Sequence, residues 1–296
     1  MTKKINILII VLIFSQTVFS QFVGRDHLSI ALFYMQKNEL DSAKKYIDLA
    51  SEDETLKNQS KTWHYKGYLY KELYKVKEKT NKQSPLRLSS IDAYKKGKVI
   101  GYDEDLKLKA SKALKYLAQT LYNDAVRSLT PENYKLAISI FDDYRKTMKL
   151  SNPEYDFSKD NIKFKMALAS MLNKPLENAS SKDSAGIVYV KQLYEEILII
   201  DENNPGANYN LATIYYNEAV EKINNMDYDM DILELNKIQD YCIEIFLKGL
   251  PYMKKSYDLN YKRKETLLGL SNIYYGLNDV EKSEYYKKEL EELEKE

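Results

Sequence analysis

The sequence is poor in the residues on which most catalytic and metal sites depend. Its 296 residues include one cysteine, two histidines and nine glycines. A single cysteine excludes an intramolecular disulfide, and so few thiols and imidazoles cannot form the common zinc or thiol-nucleophile sites unless distant segments converge by chance. The glycines are dispersed, so there is no glycine-rich phosphate loop, and no G-x-S-x-G nucleophile motif occurs. We therefore expect a protein that is not an enzyme and needs no cofactor or metal ion.

An excess of charge of one sign is also lacking. Lys and Arg together number 45 against 44 Asp and Glu, which gives a net charge of +1. The two signs are interspersed along the chain, as on solvated helix faces. A near-neutral balance gives no reason to expect nucleic acid as a partner or a general preference for anionic membranes.

The N-terminal segment carries the pattern of a secretory signal. Lys3 and Lys4 precede the apolar run Ile5–Phe14, and a short, more polar stretch ends at Ser20. The run is too short to cross a bilayer, which takes roughly 20 residues. We predict a cleaved signal over residues 1–20, a single mature domain over 21–296 without a transmembrane span, and export to the periplasm. The alternatives are an uncleaved anchor, surface attachment or release from the cell.

What the sequence does contain is a helical pattern rich in tyrosine, of which there are 27. Apolar residues recur at spacings of three and four, which indicates an all-α protein. In the stretch WHYKGYLY, Trp63, Gly67 and Tyr70 lie on one stripe of a helix. Glycine at such a position costs about 1 kcal/mol of helix propensity relative to alanine, so Gly67 needs a packing reason. A close approach of a second helix supplies one, and it makes Trp63 a core residue.

The same stripe recurs in HLSIALFYMQ, NYNLATIYYN and LLGLSNIYYG, where Ala31, Ala212 and Ser271 take the place of Gly67. Stretches such as DSAKKYIDLA and KGLPYMKKSYDLN follow with a second pattern, in which Ala43 and Gly249 are the small residues. Together the patterns resemble the tetratricopeptide repeat family, whose signature joins W-x2-L-G-x2-Y to A-x3-F and a terminal proline in a period of about 34 residues.

The resemblance implies a fold and a register. It predicts an all-α, right-handed superhelical solenoid of about six helical hairpins, several of them with extended helices or inserts. The small residues of paired helices are 12 apart in the family, as they are for Ser271 and Ser283, whereas Gly67 and Ser90 are 23 apart and Ala212 and Gly249 are 37 apart. These longer distances predict lengthened helices or inserted loops.

Two of the stretched hairpins have distinctive sequences. In the first, Tyr65–Lys79 is expected to continue as helix before a turn at Asn81–Pro85, and its lysines would form either a contact for an acidic surface or a solvated loop. In the second, Asp227–Asp231 lacks the glycine and glutamate of a calcium loop and is expected at a helix N-terminus. Pro251 is expected in the first turn of the following helix.

The resemblance also implies a binding surface, because the first helix of each hairpin lines the concave side of such an array. Carried onto this chain, the concave positions are His64, Tyr68, Lys71, Lys115, Gln119, Tyr122, Tyr209, Thr213, Tyr216, Asn217, Asn272 and Tyr275. Tyrosine offers contact area with a polar tip, which suits recognition of a protein or peptide. The matched Lys and Asn residues with which some family members hold a C-terminal carboxylate are not present across three repeats, so that activity is not carried over.

We expect an exported scaffold or adaptor that binds a protein or peptide partner through this surface, in envelope assembly or secretion. The chain is rich in Lys, Asn, Ile and Tyr, and it resembles exported tetratricopeptide proteins of Bacteroidota. Two alternatives stay open, since a fold does not fix a function. One is a protein that binds a small ligand or glycan on tetratricopeptide helices, and the other is an architectural subunit of an oligomer.

Overall fold

The computed structural model of the protein describes residues 24–177, 184–227 and 229–295, and the predicted signal segment lies outside these ranges. The described residues form twelve α-helices and no strand, which confirms the all-α prediction. They divide into two compact units: unit 1 comprises 24–128 and 135–155, and unit 2 comprises 129–134 and the described residues from 156 onward. Within these ranges, no helix combines the length and the apolar character that crossing a bilayer requires.

Unit 1 contains the first six helices, apart from the first residue of the sixth. A single 3-10 turn, Leu56–Asn58, precedes the third helix, and a π-helical segment, Tyr74–Glu78, continues it. The helices are α1 (His27–Gln36), α2 (Leu40–Glu52), α3 (Ser60–Leu73), α4 (Pro85–Ile100), α5 (Glu104–Arg127) and α6 (Tyr134–Ser151).

Unit 2 contains the other six helices. They are α7 (Ser158–Glu177), α8 (Ser184–Ile200), α9 (Pro205–Asn224), α10 (Ile232–Asp258), α11 (Arg263–Gly276) and α12 (Val280–Leu293). In both units consecutive helices pack on each other, as α3 does on α4 and α9 does on α10. The core consists of the apolar stripes of these helices, with Ala31, Ala43 and Ala212 completely buried.

The helix boundaries follow from local capping chemistry. Asp103 and Asp231 each precede a helix, and their side chains accept a hydrogen bond from the backbone N–H three residues on, as N-cap residues do. The acidic stretch Asp227–Asp231 was predicted to lie at a helix N-terminus, and this is confirmed for Asp231. Asn38, Asn260 and Asn278 follow α1, α10 and α11 with φ between 51° and 59°, a conformation that asparagine tolerates at helix C-termini.

The small residues predicted to face each other are in contact. The Ser90 hydroxyl donates a 2.7 Å hydrogen bond to the carbonyl of Gly67, and Ser271 and Ser283 donate to each other's carbonyls at 3.0 and 2.9 Å. A Cβ added at Gly249 would lie 3.4 Å from the Ala212 carbonyl oxygen. For these three pairs, the small residues of the recurring stripes correctly predicted which helices are in contact.

The WHYKGYLY stretch belongs to this core. Trp63 is 9% exposed, and its indole N–H donates to the Lys57 carbonyl at 2.8 Å. Gly67 lies against the ring of Tyr94 on α4, which is 1% exposed. The core role predicted for Trp63 and the close approach predicted at Gly67 are both confirmed.

The expectation for Pro251 was wrong. Pro251 lies inside α10, which runs without interruption from Ile232 to Asp258. The extra residues between Ala212 and Gly249 lengthen this helix instead of ending it. The backbone hydrogen bond that a proline removes would have ended on the carbonyl of Leu247, and both Pro251 and Leu247 are exposed, so water can satisfy that carbonyl.

Replacing Gly67 with alanine is expected to destabilise unit 1 by about 1–2 kcal/mol. Overpacking destabilises by about 1–3 kcal/mol, and the higher helix propensity of alanine offsets about 1 kcal/mol of that loss. The added Cβ would lie 2.8 Å from ring carbons of Tyr94, which is buried, so the ring or the helix would have to shift. Chemical denaturation monitored by circular dichroism measures the change.

The matched control is Gly269→Ala in α11. There the new Cβ meets the flexible end of Met253, whose Cε lies 2.7 Å away and can move. This variant is expected to be neutral or slightly stabilised. Equal effects at the two glycines would contradict the proposed close contact at Gly67.

Candidate functional site

A groove between α3 and α5 brings together three of the residues predicted to lie on the concave face. We call it the α3–α5 groove, and it has a volume of about 510 Å³. It is lined by His64, Tyr65, Tyr68, Lys71 and Lys75 from α3 and its π-helical extension, by Tyr94 of α4, and by Leu106, Lys109, Lys112, Ala113 and Tyr116 of α5. Their spacings of three, four and seven along each helix place them on one face.

The α3 side of the groove carries two lysines around one carboxylate. The ammonium groups of Lys71 and Lys75 each lie 3.1 Å from a carboxylate oxygen of Glu72. Burial alone would raise the pKa of Glu72, but the hydrogen bonds from the two lysines outweigh it and hold the pKa below its ordinary value. Lys71 also lies over the ring of Tyr68, with its Nζ 4.7 Å from the ring centroid. These contacts hold both lysines in place at the groove.

The α5 side adds further positive charge. Lys109 pairs with Asp105 at 2.6 Å, whereas Lys112 is exposed and makes no ion pair with any residue that the structure describes. Lys75 reaches across the groove, with its Nζ 5.3 Å from the ring centroid of Tyr116. Four lysines line the groove and no carboxylate does, and only Glu72 and Asp105 pair with those lysines from its edges. The groove therefore has an excess of positive charge.

His64 lies at the floor of this groove. It is 6% exposed, and its ring meets the edges of Tyr65, Tyr94 and Tyr102 at centroid distances of 5.4, 5.8 and 6.0 Å. Its Nδ1 is buried without a hydrogen-bond partner. Burial, and then the charge of Lys109, lower the pKa of His64 to about 4, so the imidazole is neutral at neutral pH.

Two tyrosines form the rim of the groove. Tyr68 is 42% exposed and Tyr116 is 38% exposed, although each ring has a lysine ammonium over its face. Such rings present apolar area and a hydroxyl to a ligand at a small cost in side-chain entropy. Together with the lysines, they equip the groove to hold an anionic group beside an apolar or planar one. No group of three His, Cys, Asp or Glu side chains in the described ranges is arranged to hold a metal ion.

The other predicted residues of α5 lie outside the groove. Lys115 and Gln119 are exposed, and Gln119 donates to Asn123 of its own helix at 3.3 Å. Tyr122 is half-buried and packs on α6, with its ring centroid 5.2 Å from that of Tyr144. The predicted positions on α5 therefore lie on a different face of the helix from the residues that line the groove.

The predicted residues of unit 2 have mixed surroundings. Tyr209 packs on Tyr261 with 5.9 Å between ring centroids, and Tyr216 packs on Phe246 at 6.0 Å. The Thr213 hydroxyl donates to the carbonyl of Tyr209 at 2.8 Å, so it satisfies its own helix. Asn217 and Asn272 are half-buried, and Tyr275 is 75% exposed. A binding role for these residues stays a prediction.

Eight of the eleven residues that line the groove were not among the predicted site residues, and those of α5 with a charged or aromatic side chain are Lys109, Lys112 and Tyr116. They lie at i, i+3 and i+7 on α5, a spacing that places them on one face of the helix. Lys75 belongs to the lysine-rich stretch Tyr65–Lys79, which was predicted to continue as helix. That continuation is confirmed as far as Glu78.

Comparison with known proteins adds no relative to this description. No protein-family profile and no curated protein matches the chain. The resemblance to tetratricopeptide repeats therefore stays a prediction carried by the residues quoted above. What the chain does has to be argued from the α3–α5 groove itself.

Proposed function

We propose that the protein is an exported tetratricopeptide-type scaffold that binds a segment of a partner protein in the α3–α5 groove. The observation that carries this proposal is the composition of the groove, in which Tyr68 and Tyr116 form an exposed rim around lysines and a buried floor. Exposed aromatic rings beside fixed cations are typical of surfaces that recognise proteins and peptides. A role in envelope assembly or secretion belongs to the same proposal.

The repeated contacts between small residues support the tetratricopeptide part of the proposal. The same kind of contact joins Gly67 to Ser90 in unit 1 and Ser271 to Ser283 in unit 2, although the spacing in sequence is 23 in one case and 12 in the other. The turns after α1 and α11 are also alike, because Asn38 and Asn278 have φ values of 59° and 58°. Repetition of contacts and turns is what stacked helical hairpins require.

The size of the groove favours a peptide segment as the ligand. Its volume of about 510 Å³ holds a few side chains and not a folded domain. A stable protein interface buries about 1,600 Å² in total, so the groove alone would anchor a segment and leave further contacts to the surrounding surface. This arrangement fits a scaffold that holds a partner by one exposed stretch of its chain.

Binding of a small ligand is the second candidate, and a separate cavity in unit 1 favours it. This cavity has a volume of about 580 Å³ and is mainly apolar, with Tyr102, Leu108, Leu114, Leu150 and Pro153 among its lining residues. Small-molecule sites are usually concave, apolar and of about 300–1,000 Å³. The cavity meets these criteria, but its polar side chains already have partners. Ser111 and Ser151 hydrogen-bond to each other, Lys98 donates to the Leu150 carbonyl, and Lys107 pairs with Glu104.

Site-specific photo-crosslinking tests the proposed function. A benzophenone amino acid replaces Tyr116 at the groove or Tyr285 on α12, which is 58% exposed and serves as the control. In the native host, we expect an adduct with one protein from position 116 and not from position 285. The adduct should also be weakened by Tyr68→Ala on the opposite side of the groove. Identical adducts at both positions, or none at position 116, would overturn the proposal.

The choice of positions matters because other tyrosines have packing roles. Tyr122 and Tyr216 lie against Tyr144 and Phe246, so replacing them would create cavities as well as change a surface. Tyr68 and Tyr116 are the better probes, since their rings are partly in solvent. Circular dichroism of each variant checks that the helices are retained.

A further inference from the structure

We propose, on the basis of the function proposed above, that the segment held in the α3–α5 groove is an acidic stretch within a partner chain. Its side-chain carboxylates would bind the lysines of both helices, and one polar group would contact His64 at the floor. The inference names the chemistry of the partner and goes beyond the statement that a protein segment binds.

Charge complementarity is the first reason. The groove is lined by four lysines and by no carboxylate, and Lys112 has no ion-pair partner among the described residues. Lys71 and Lys75 share the single carboxylate of Glu72, so together they keep one unit of excess positive charge. Carboxylates that enter the groove would neutralise this excess, whereas a basic segment would add to it.

The imidazole of His64 is the second and independent reason to place a ligand there. It is 6% exposed and lines the groove, and its buried Nδ1 has no hydrogen-bond partner among the described residues. Buried polar atoms nearly always have a partner, and one without a partner calls for an explanation such as a bound group. A neutral imidazole has one nitrogen that donates and one that accepts, so it can pair with a side chain or backbone group of the bound segment.

The distribution of the lysines favours several separated carboxylates over a single terminal one. Lys71 at the end of α3 and Lys75 in its π-helical extension are about one helical turn apart, and Lys109 and Lys112 occupy the facing helix. A lone C-terminal carboxylate supplies one negative charge, whereas four lysines paired by Glu72 and Asp105 leave two positive charges to be balanced. The rings of Tyr68 and Tyr116 lie beside the lysines, where the planar peptide groups and apolar stems of an acidic segment would pack on them.

Fluorescence anisotropy with defined peptides tests the inference on the chain that begins at Gln21. The probe is a labelled peptide of repeated Glu-Ala-Gly units, and the matched control peptide has Gln in place of Glu. We expect the Glu peptide to bind at least about tenfold more tightly, with an affinity that falls as salt rises. Equal affinity of the two peptides would overturn the inference.

Matched variants separate the groove from general electrostatic attraction. Lys109→Gln combined with Lys112→Gln should weaken binding of the Glu peptide about tenfold or more. The control, Lys287→Gln combined with Lys288→Gln, removes the same charge from exposed positions on α12 and should leave binding unchanged. Equal losses in the two double variants would show attraction to net charge alone and would overturn the inference. So would tighter binding of a sulfated dextran than of the Glu peptide, because the ligand would then be a polyanionic polysaccharide.

Failure of this inference can be told apart from failure of the proposed function. If a protein is crosslinked at position 116 through a neutral or basic segment, the scaffold function stands and the acidic-segment inference fails. If neither an adduct nor peptide binding is found, both fail.

A third measurement uses His64→Phe, which should lower the affinity for the Glu peptide while retaining the aromatic packing. An unchanged affinity would remove His64 from the proposed contact.

Discussion

Replacing Asp124 with alanine is expected to lower the free energy of unfolding of unit 1 by about 3–5 kcal/mol, the usual cost of removing one partner of a buried ion pair. Asp124 on α5 and Arg87 on α4 lie 2.6 Å apart, and their side chains are only 4% and 1% exposed. Arg87 also donates to the Tyr74 hydroxyl at 3.2 Å and to the Lys82 carbonyl at 2.5 Å. Without Asp124 the guanidinium would keep its charge in the core with no carboxylate to balance it.

Denaturation by urea, followed by circular dichroism, measures this loss. The control is Asp142→Ala on α6, which breaks an exposed pair with Arg145 and should change stability by less than about 1 kcal/mol. A double variant, Arg87→Met with Asp124→Leu, removes both charges and is expected to recover at least half of the loss, because buried ion pairs often contribute little more than apolar residues of similar volume. A single Asp124→Ala variant as stable as the control would contradict the buried-pair account.

This ion pair shows what sequence reasoning on the fold missed. Arg87, Ile91 and Tyr94 lie at i, i+4 and i+7 on α4, and all three are buried. On α5, Leu117, Leu121 and Asp124 repeat that spacing. Each stripe therefore carries one charged residue in a row of apolar ones, and together the two stripes predict a buried pair. Each charge taken alone looks like one more residue of a solvated face.

The pairing of helices was predictable because small residues leave a local trace in the sequence. A glycine in the middle of a helix weakens that helix, so its presence at Gly67 indicates a close contact with another element. Tyr94 makes that contact. Pro251 could not be placed in the same way. A proline is tolerated both in the first turn and on an exposed face within a helix, and only the three-dimensional course of α10 decides between the two.

The candidate site was predictable on α3 and only partly on α5. On α3 a single glycine fixes the phase of the helix, and the predicted residues His64, Tyr68 and Lys71 line one groove. On α5 several alanines compete for that role, since Ala113 and Ala118 are both buried. The face of α5 that lines the groove is set by its contact with α3, and the residues that make this contact are far apart in the sequence. Such a contact leaves no signal in the pattern of either helix alone.

His64→Phe is expected to remove an acid sensitivity from unit 1. An unperturbed histidine has a pKa near 6.5, whereas burial and then Lys109 lower the pKa of His64 to about 4. Between these values the unfolded chain takes up a proton that the folded protein does not, so stability falls as the pH drops from about 6.5 to 4 and is fully present above that range. For the wild type this loss is about 2 kcal/mol between pH 7 and pH 5. In the variant, which has no titrating group at this position, that loss should disappear.

Urea denaturation at a series of pH values between 7 and 4 measures this effect as the difference in unfolding free energy between wild type and variant. The difference should grow in favour of His64→Phe as the pH falls, because phenylalanine retains the ring contacts with Tyr65, Tyr94 and Tyr102 while removing the imidazole. Tyr65→Phe disturbs the same aromatic cluster without removing His64, so it should keep the wild-type dependence on pH. Parallel curves for wild type and His64→Phe would mean that His64 is as well hydrated in the folded protein as in the unfolded chain. The floor of the α3–α5 groove would then be open to water, and its unpartnered imidazole would no longer indicate a bound group.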